Sequence, residues 1–221
     1  VRGYDPAVPE SAADAATATA GAEVVLSVNA ASVALGAARD ASPSLGAEAV
    51  YADLNTAAPA LKRELAAVVG DRFADVALLG VVPAKGLATP ALASGPAAQA
   101  FADALGPLGM PVRVVSQQPG DAAAMKLVRS VFMKGVAASA VESMRAAEVA
   151  GCADWLADEI AGVIGRPLLD RLLEGSERHA ARRVDEMEAA SELLRELGVV
   201  PRVARASAEL LAALEEGQAE A

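Results

Sequence analysis

The 221 residues hold one cysteine, Cys152, and one histidine, His179. A lone thiol excludes a disulfide framework and any cysteine-rich metal site, and a lone imidazole excludes a multi-histidine one, so no metal is expected. Sparse cysteine also fits a reducing compartment, and a cytoplasmic protein is the expectation. Cations are scarce as well: 19 Lys and Arg stand against 29 Asp and Glu, giving a formal charge of −10. That deficit argues against a nucleic-acid or anionic-membrane surface, since both need clustered positive charge. No uncharged run combines membrane-span length with freedom from Pro and Gly, so no transmembrane helix is expected. Val1 rather than Met stands first, which raises the expectation of a longer reading frame. What the chain has in quantity is apolar residues, 54% of the total, much of it Ala. Its length suits one large domain or two modest ones.

The order of residues changes character partway along. Up to about Ser116, short β-branched runs recur at Val24 to Val28, Ala49 to Ala52, Phe73 to Leu79 and Val112 to Val115. Helical stretches lie between them. Pro59 to Val69 sets Lys62, Arg63 and Glu64 on one side and Leu61, Leu65 and Val68 on another. Strands separated by helices imply parallel pairing with right-handed crossovers, hence an α/β sheet. The Pro- and Gly-rich stretch Gly80 to Gly95 interrupts that rhythm and reads as a loop of the kind that lines sites. From Asp121 to Ala150 no proline occurs, which predicts a single helix with Asp121 as its N-cap. Further helices are expected over Ala153 to Ile164, Leu168 to Leu173, Ser176 to Leu197 and Arg202 to Glu215, with breakers at Gly151, Gly165, Gly175 and Gly198. Two domains follow, 1–118 and 119–221, the second all-helical.

Lys126, Ser130 and Lys134 recur every four residues near the start of the long helix, so they share a face. A lysine there opposes the helix dipole, and partial burial would lower its pKa toward one useful for proton transfer. From spacing alone, a solvated lysine beside a chance serine is the better reading. His179, Arg182 and Arg183 form a second cluster, either an anion grip or a solvated cationic face. Asp53 and Asp75, each at a strand end, are either catalytic carboxylates or caps of the next turn.

Five segments, taken in order, carry a resemblance. They are Val1-Arg2-Gly3-Tyr4-Asp5; Glu23 to Val28 with Asn29-Ala30; Asp53-Leu54-Asn55-Thr56-Ala57-Ala58-Pro59; Phe73 to Gly80; and Gly120-Asp121-Ala122-Ala123-Ala124-Met125-Lys126 with Ser130 to Gly135. Together they resemble the β-hydroxyacid dehydrogenase superfamily, which contains the 3-hydroxyisobutyrate and 6-phosphogluconate dehydrogenases. The similarity is greatest to its divergent branch with a phosphogluconate-dehydrogenase-like C-terminal domain. The first segment resembles the second strand of the family's dinucleotide-binding unit, ending in the acidic Asp5, the third its Asp-x-Ser-Thr-x-x-Pro, and the last its Gly-x-Gly-x-x-x-Lys, with Ser130 where the family has Asn. In the fourth, Leu79 stands where the family's substrate-binding Ser is found, followed by Gly80, and Val81 replaces the second glycine.

The resemblance implies an α/β plus all-α fold: a Rossmann-like NAD(P)-binding domain, a long interdomain helix and a helical substrate and dimerisation domain. The family's Gly-x-Gly-x-x-Gly falls before Val1, so this chain alone is expected to bind cofactor poorly. The resemblance implies hydride transfer between NAD or NADP and a small, anionic hydroxy acid. Lys126 is then the general acid/base and Ser130 its hydrogen-bonding neighbour. Asp5, Asn29, Ala30, Asn55 and Thr56 face the cofactor, and Leu79, Gly80, Lys134, His179 and Arg183 face the substrate. A homodimer through the helical domain is also implied. Two alternatives remain: imine reduction with the same cofactor, and a non-catalytic dimerisation or ligand-binding module.

Overall fold

The computed structural model describes residues 1–8, 11–80 and 82–219, and only the backbone at 177 and 216–219; Val81 lies outside the described residues. Contacts divide the chain into two compact units, Val1–Lys126 and Leu127–Ala221. The division falls inside the long helix, whereas the change of sequence character precedes that helix.

The first unit runs α1 (Ala15–Thr19), β1 (Val24–Ser27), α2 (Ala31–Ala41), β2 (Val50–Asp53), α3 (Pro59–Val69), β3 (Phe73–Leu78), α4 (Val82–Lys85), β4 (Ala91–Ser94), α5 (Ala98–Leu105) and β5 (Val112–Ser116), then the first turns of α6 (Asp121–Ala150). The five strands lie in the order β1-β2-β3-β4-β5. All neighbours pair parallel except β3 and β4, which are antiparallel. Side chains alternate across the pleat. Val50 and Ala52 of β2 therefore join Phe101 and Leu105 on one face, while Tyr51 joins Ala34, Ala38, Leu65 and Val69 on the other. The sheet is thus covered on both faces, as a mostly parallel sheet requires.

Three expectations are corrected here. Gly80 to Gly95 is not one loop: it contains α4 and the strand β4. Ala-Leu-Ala-Ser lacks the β-branched residues that mark strands, and only its place between β3 and β5 makes it one. Residues 1–5 form no strand. Their backbone turns on itself instead, with Val8 N–H donating to the Asp5 carbonyl and Ala12 N–H to that of Gly3. Asp121 is not the N-cap of α6. The carbonyl of Gly120 accepts the first helical bond, from Ala124 N–H at 2.8 Å, so Gly120 holds the cap position.

The second unit holds the rest of α6 with α7 (Ala153–Ile164), α8 (Arg166–Arg178), α9 (Ala180–Glu196) and α10 (Arg202–Ala219). Ala140, Ala157 and Leu169, with Met144, Ile160, Ile164 and Leu173, pack α6, α7 and α8 together. Gly151 and Gly165 separate helices as expected, but α8 runs straight through Gly175 and breaks at His179. Among the described residues, no helix is long and apolar enough to cross a membrane.

Candidate functional site

Ser27, Asp53, Asp75 and Ser94 stand in register across β1 to β4 and form a buried polar row. Beneath it lies Lys62, placed by the sequence pattern on the polar side of α3 yet 0% exposed. Its Nζ lies 2.6 Å from Asp53 Oδ2 and 3.1 Å from Asp75 Oδ1, and donates to the Asp53 carbonyl at 3.1 Å. Asp75 Oδ1 accepts no hydrogen bond and is balanced by that ammonium. One cation against two carboxylates leaves a negative surplus in a dry place, which is costly unless dipoles answer it. The first turn of α6 does so. Ala123 N–H donates to Asp75 Oδ2 at 3.0 Å, and Ala122 N–H donates to Ser94 Oγ at 3.0 Å. Asp53 and Asp75 are thus members of one buried ion-paired group, and Asp75 caps a helix distant in sequence rather than the next turn.

The same row orients the loops that follow β1 and β2. Asn55 Nδ2 donates to Asp53 Oδ1 and, at 2.8 Å, to Asn29 Oδ1, while Asn29 N–H donates back to Asn55 Oδ1 at 2.6 Å. Each amide fixes the other. Ala30, next in line, is the N-cap residue of α2. One residue beyond Asn55, the Thr56 Oγ1 accepts a hydrogen bond of 2.7 Å from Lys126 Nζ. The structure therefore brings Asn29, Asn55, Thr56 and Lys126 together at the carboxyl ends of parallel strands, where open α/β sheets bind ligands.

Other expected residues are placed differently. Leu79 packs against Ala77, Leu92 and Ala122, and its N–H donates to the Pro90 carbonyl at 2.8 Å. Gly80 is exposed beside Thr89 and Lys85. Asp5 is exposed, and its Oδ1 accepts Ala7 N–H at 2.8 Å in an ordinary turn.

Within the helical unit Ser130 is buried and donates to Glu186 Oε1. Lys134 Nζ lies 3.3 Å from the other oxygen of Glu186. Burial pulls the Lys134 amine below the usual lysine range; Glu186 opposes that shift and Arg183 and Arg129 add to it. Arg183 donates to Ser176 Oγ at 2.7 Å. The guanidinium lies over Gly175, its Nη2 2.6 Å from where a Cβ at that position would stand. His179 is exposed at the α8–α9 junction, its imidazole held below the usual pKa of 6.5 by desolvation and by Arg182, Arg183 and Arg178. Ser130, Lys134 and Arg183 thus share one cluster. Its organising residue, Glu186, was hidden among the acidic neighbours Asp185 and Glu188.

A model of the family described as Domain of unknown function (DUF1932) matches residues 147–214. A conserved hypothetical protein from Sinorhizobium meliloti 1021 is 34% identical with a TM-score of 0.71, over 90% of this chain and 69% of that one. A second solved protein, of unknown function and described as structurally similar to 3-hydroxyacid dehydrogenases, is 30% identical with a TM-score of 0.68, over 88% of this chain and 75% of the other. A curated relative, the uncharacterized 28.5 kDa protein in the 7S RNA 5' region of Methanothermus fervidus, is 27% identical over 62% of this chain. The match spans 55% of that relative's length. Likeness of fold alone extends to Mycobacterium tuberculosis 3-hydroxyisobutyrate dehydrogenase with L-serine, at 16% identity over 89% of this chain and 75% of that one, TM-score 0.71. It extends also to an Aspergillus terreus reductive aminase with NADPH, at 19% identity over 94% and 78%, TM-score 0.59.

Proposed function

Because the chain belongs to the β-hydroxyacid dehydrogenase superfamily, we propose that it works as a nicotinamide-dependent oxidoreductase on a small hydroxy acid or related compound, with Lys126 as general acid/base. The observation that carries this reading is the 2.7 Å hydrogen bond from Lys126 Nζ to Thr56 Oγ1. It pairs the amine that resembles the family's catalytic lysine with the hydroxyl that resembles its nicotinamide-facing threonine.

The residues present fit the nicotinamide half of NAD or NADP. Paired amides and a hydroxyl–ammonium pair stand at the carboxyl ends of β1 and β2. Asn29, Asn55 and Thr56 would hold that half, which when bound supplies the redox chemistry. Lys126 moves a proton to or from the substrate oxygen and stabilises charge that develops there. Within the helical unit, Lys134 and Arg183 set two cations against the single carboxylate of Glu186, a positive surplus of the kind that suits an anion. The single proton of the Ser130 hydroxyl goes to Glu186, so Ser130 acts here by fixing that carboxylate.

The reading includes a homodimer through the helical unit. A pocket of about 870 Å³, lined by Val131, Val136, Ile160 and Val203 among others, carries Phe132 and Val163 exposed at 70% and 85%. Exposed apolar groups gathered this way are the signature of an association surface.

The test is a panel of β-hydroxy acids and cyclic imines assayed with NAD and NADP, using the protein from its whole reading frame. Turnover of hydroxy acids supports the dehydrogenase, and turnover of imines alone moves the reading to imine reduction. Neither turnover nor cofactor binding would leave a non-catalytic module.

A further inference from the structure

Behind Lys126 stands a frame of residues to which the proposed reaction gives no part. Gly120 occupies the N-cap of α6 and has no side chain with which to cap. It cannot acquire one: its φ is +99°, and a Cβ would lie 2.9 Å from the Pro59 carbonyl oxygen. The second and third amides of α6 are those an N-cap side chain normally satisfies. Here their acceptors come from the sheet. Ser94 Oγ accepts Ala122 N–H, Asp75 Oδ2 accepts Ala123 N–H, and the Ser94 hydroxyl donates to that same carboxylate oxygen at 3.1 Å. The other Asp75 oxygen is held by Lys62. All of Asp75, Ser94 and Lys62 are fully buried, so none can swing toward solvent instead. Lys126 follows Ala122 by about one helical turn. Whatever fixes the first turn of α6 therefore fixes the root of the Lys126 side chain.

We propose that Asp75 is a positioning residue for Lys126: gripping the first turn of α6 with one carboxylate oxygen and Lys62 with the other, it sets where the Lys126 ammonium meets Thr56. The functional weight of this rests on the reading of Lys126 as the proton-transfer group, but the placement itself is measurable without any turnover. Both oxygens of Asp75 face donors, and a carboxylate is the side chain that presents acceptors alone. An amide in its place must turn an N–H either toward Lys62 or toward Ser94 and Ala123, so Asp75→Asn breaks the frame in either rotamer. Its negative charge also complements the positive end of the helix.

The 221 residues hold four lysines, Lys62, Lys85, Lys126 and Lys134, and in the side-chain ¹⁵N–¹H spectrum of the ¹⁵N-lysine-labelled protein Lys126→Arg identifies the signal of interest. Thr56→Val marks where that signal falls once its acceptor is gone. Leu65→Ala, a cavity in the same unit's core, serves as the control for general destabilisation. Asp75→Asn is expected to move the Lys126 signal most of the way to its Thr56→Val position. Ser94→Ala should move it in the same direction and less far, while Leu65→Ala leaves it in place. A wild-type Lys126 signal in both Asp75→Asn and Ser94→Ala overturns the proposal, as does an equal displacement in Leu65→Ala. Should Asp75→Asn fail to fold, Ser94→Ala decides by the same two criteria. Normal turnover in Lys126→Met would remove that lysine from the chemistry and leave the positioning result standing, so the two failures are distinct.

Discussion

Lys62 carries an ammonium into a site with 0% exposure, between Asp53 and Asp75. Removing one member of such a group costs more than the group is worth, because the remaining charges stay buried without a counter-charge. Lys62→Met should therefore lower the unfolding free energy by about 3–5 kcal/mol, read from urea titration. A loss below about 1 kcal/mol would show that the pair of carboxylates does not depend on this cation. The residue was not legible as buried. Positions 61, 65 and 68 and positions 62, 65 and 69 both satisfy helical spacing, and charge argued for solvent at 62 until the carboxylates beneath it were in view. Glu186 escaped notice for a related reason, since nothing in Asp185-Glu186-Met187-Glu188 singles out the one acid that meets Ser130 and Lys134. Lys126 and Thr56 were legible only because their surrounding segments resemble a known pattern. Spacing by itself favoured a solvated amine.

Among the elements, α6 was read with both ends in place, Asp121 to Ala150, because Pro119-Gly120 and Gly151 bracket a proline-free run. Its cap was not, since the acceptors come from residues 28 and 48 positions away in the chain. Long-range capping leaves no local signature. β4 carries no β-branched residue to mark it as a strand, and Gly175 lies within α8, under the guanidinium of Arg183, rather than at a break. The role of Gly120 can be tested at this scale. Ala at this position must adopt a positive φ and approach Pro59, so Gly120→Ala should destabilise the first unit by about 1–3 kcal/mol. Thermal melting would check it, and an unchanged or raised midpoint would contradict the close approach of α6 to α3.

Across the whole molecule the change from strand-and-helix to helix-only character predicts a sheet-bearing part followed by a helical one, and the order of elements and the family relationship agree with it. What composition did not disclose is which apolar residues stay exposed, because Ala inflates the hydrophobic count while covering little area. Phe132 and Val163 are the informative ones. Light scattering at micromolar concentration should give twice the chain mass, and Phe132→Lys should shift it toward a monomer. A monomeric wild type would rule out the dimer.

The proposed oxidoreductase chemistry depends on proton transfer by the Lys126 ammonium. The direct measurement is kcat for Lys126→Met beside wild type, in the protein from its whole reading frame, on whichever substrate of the panel turns over. A fall of about 100-fold or more, with cofactor binding and melting temperature unchanged, is the predicted result. Turnover within a few-fold of wild type would contradict it.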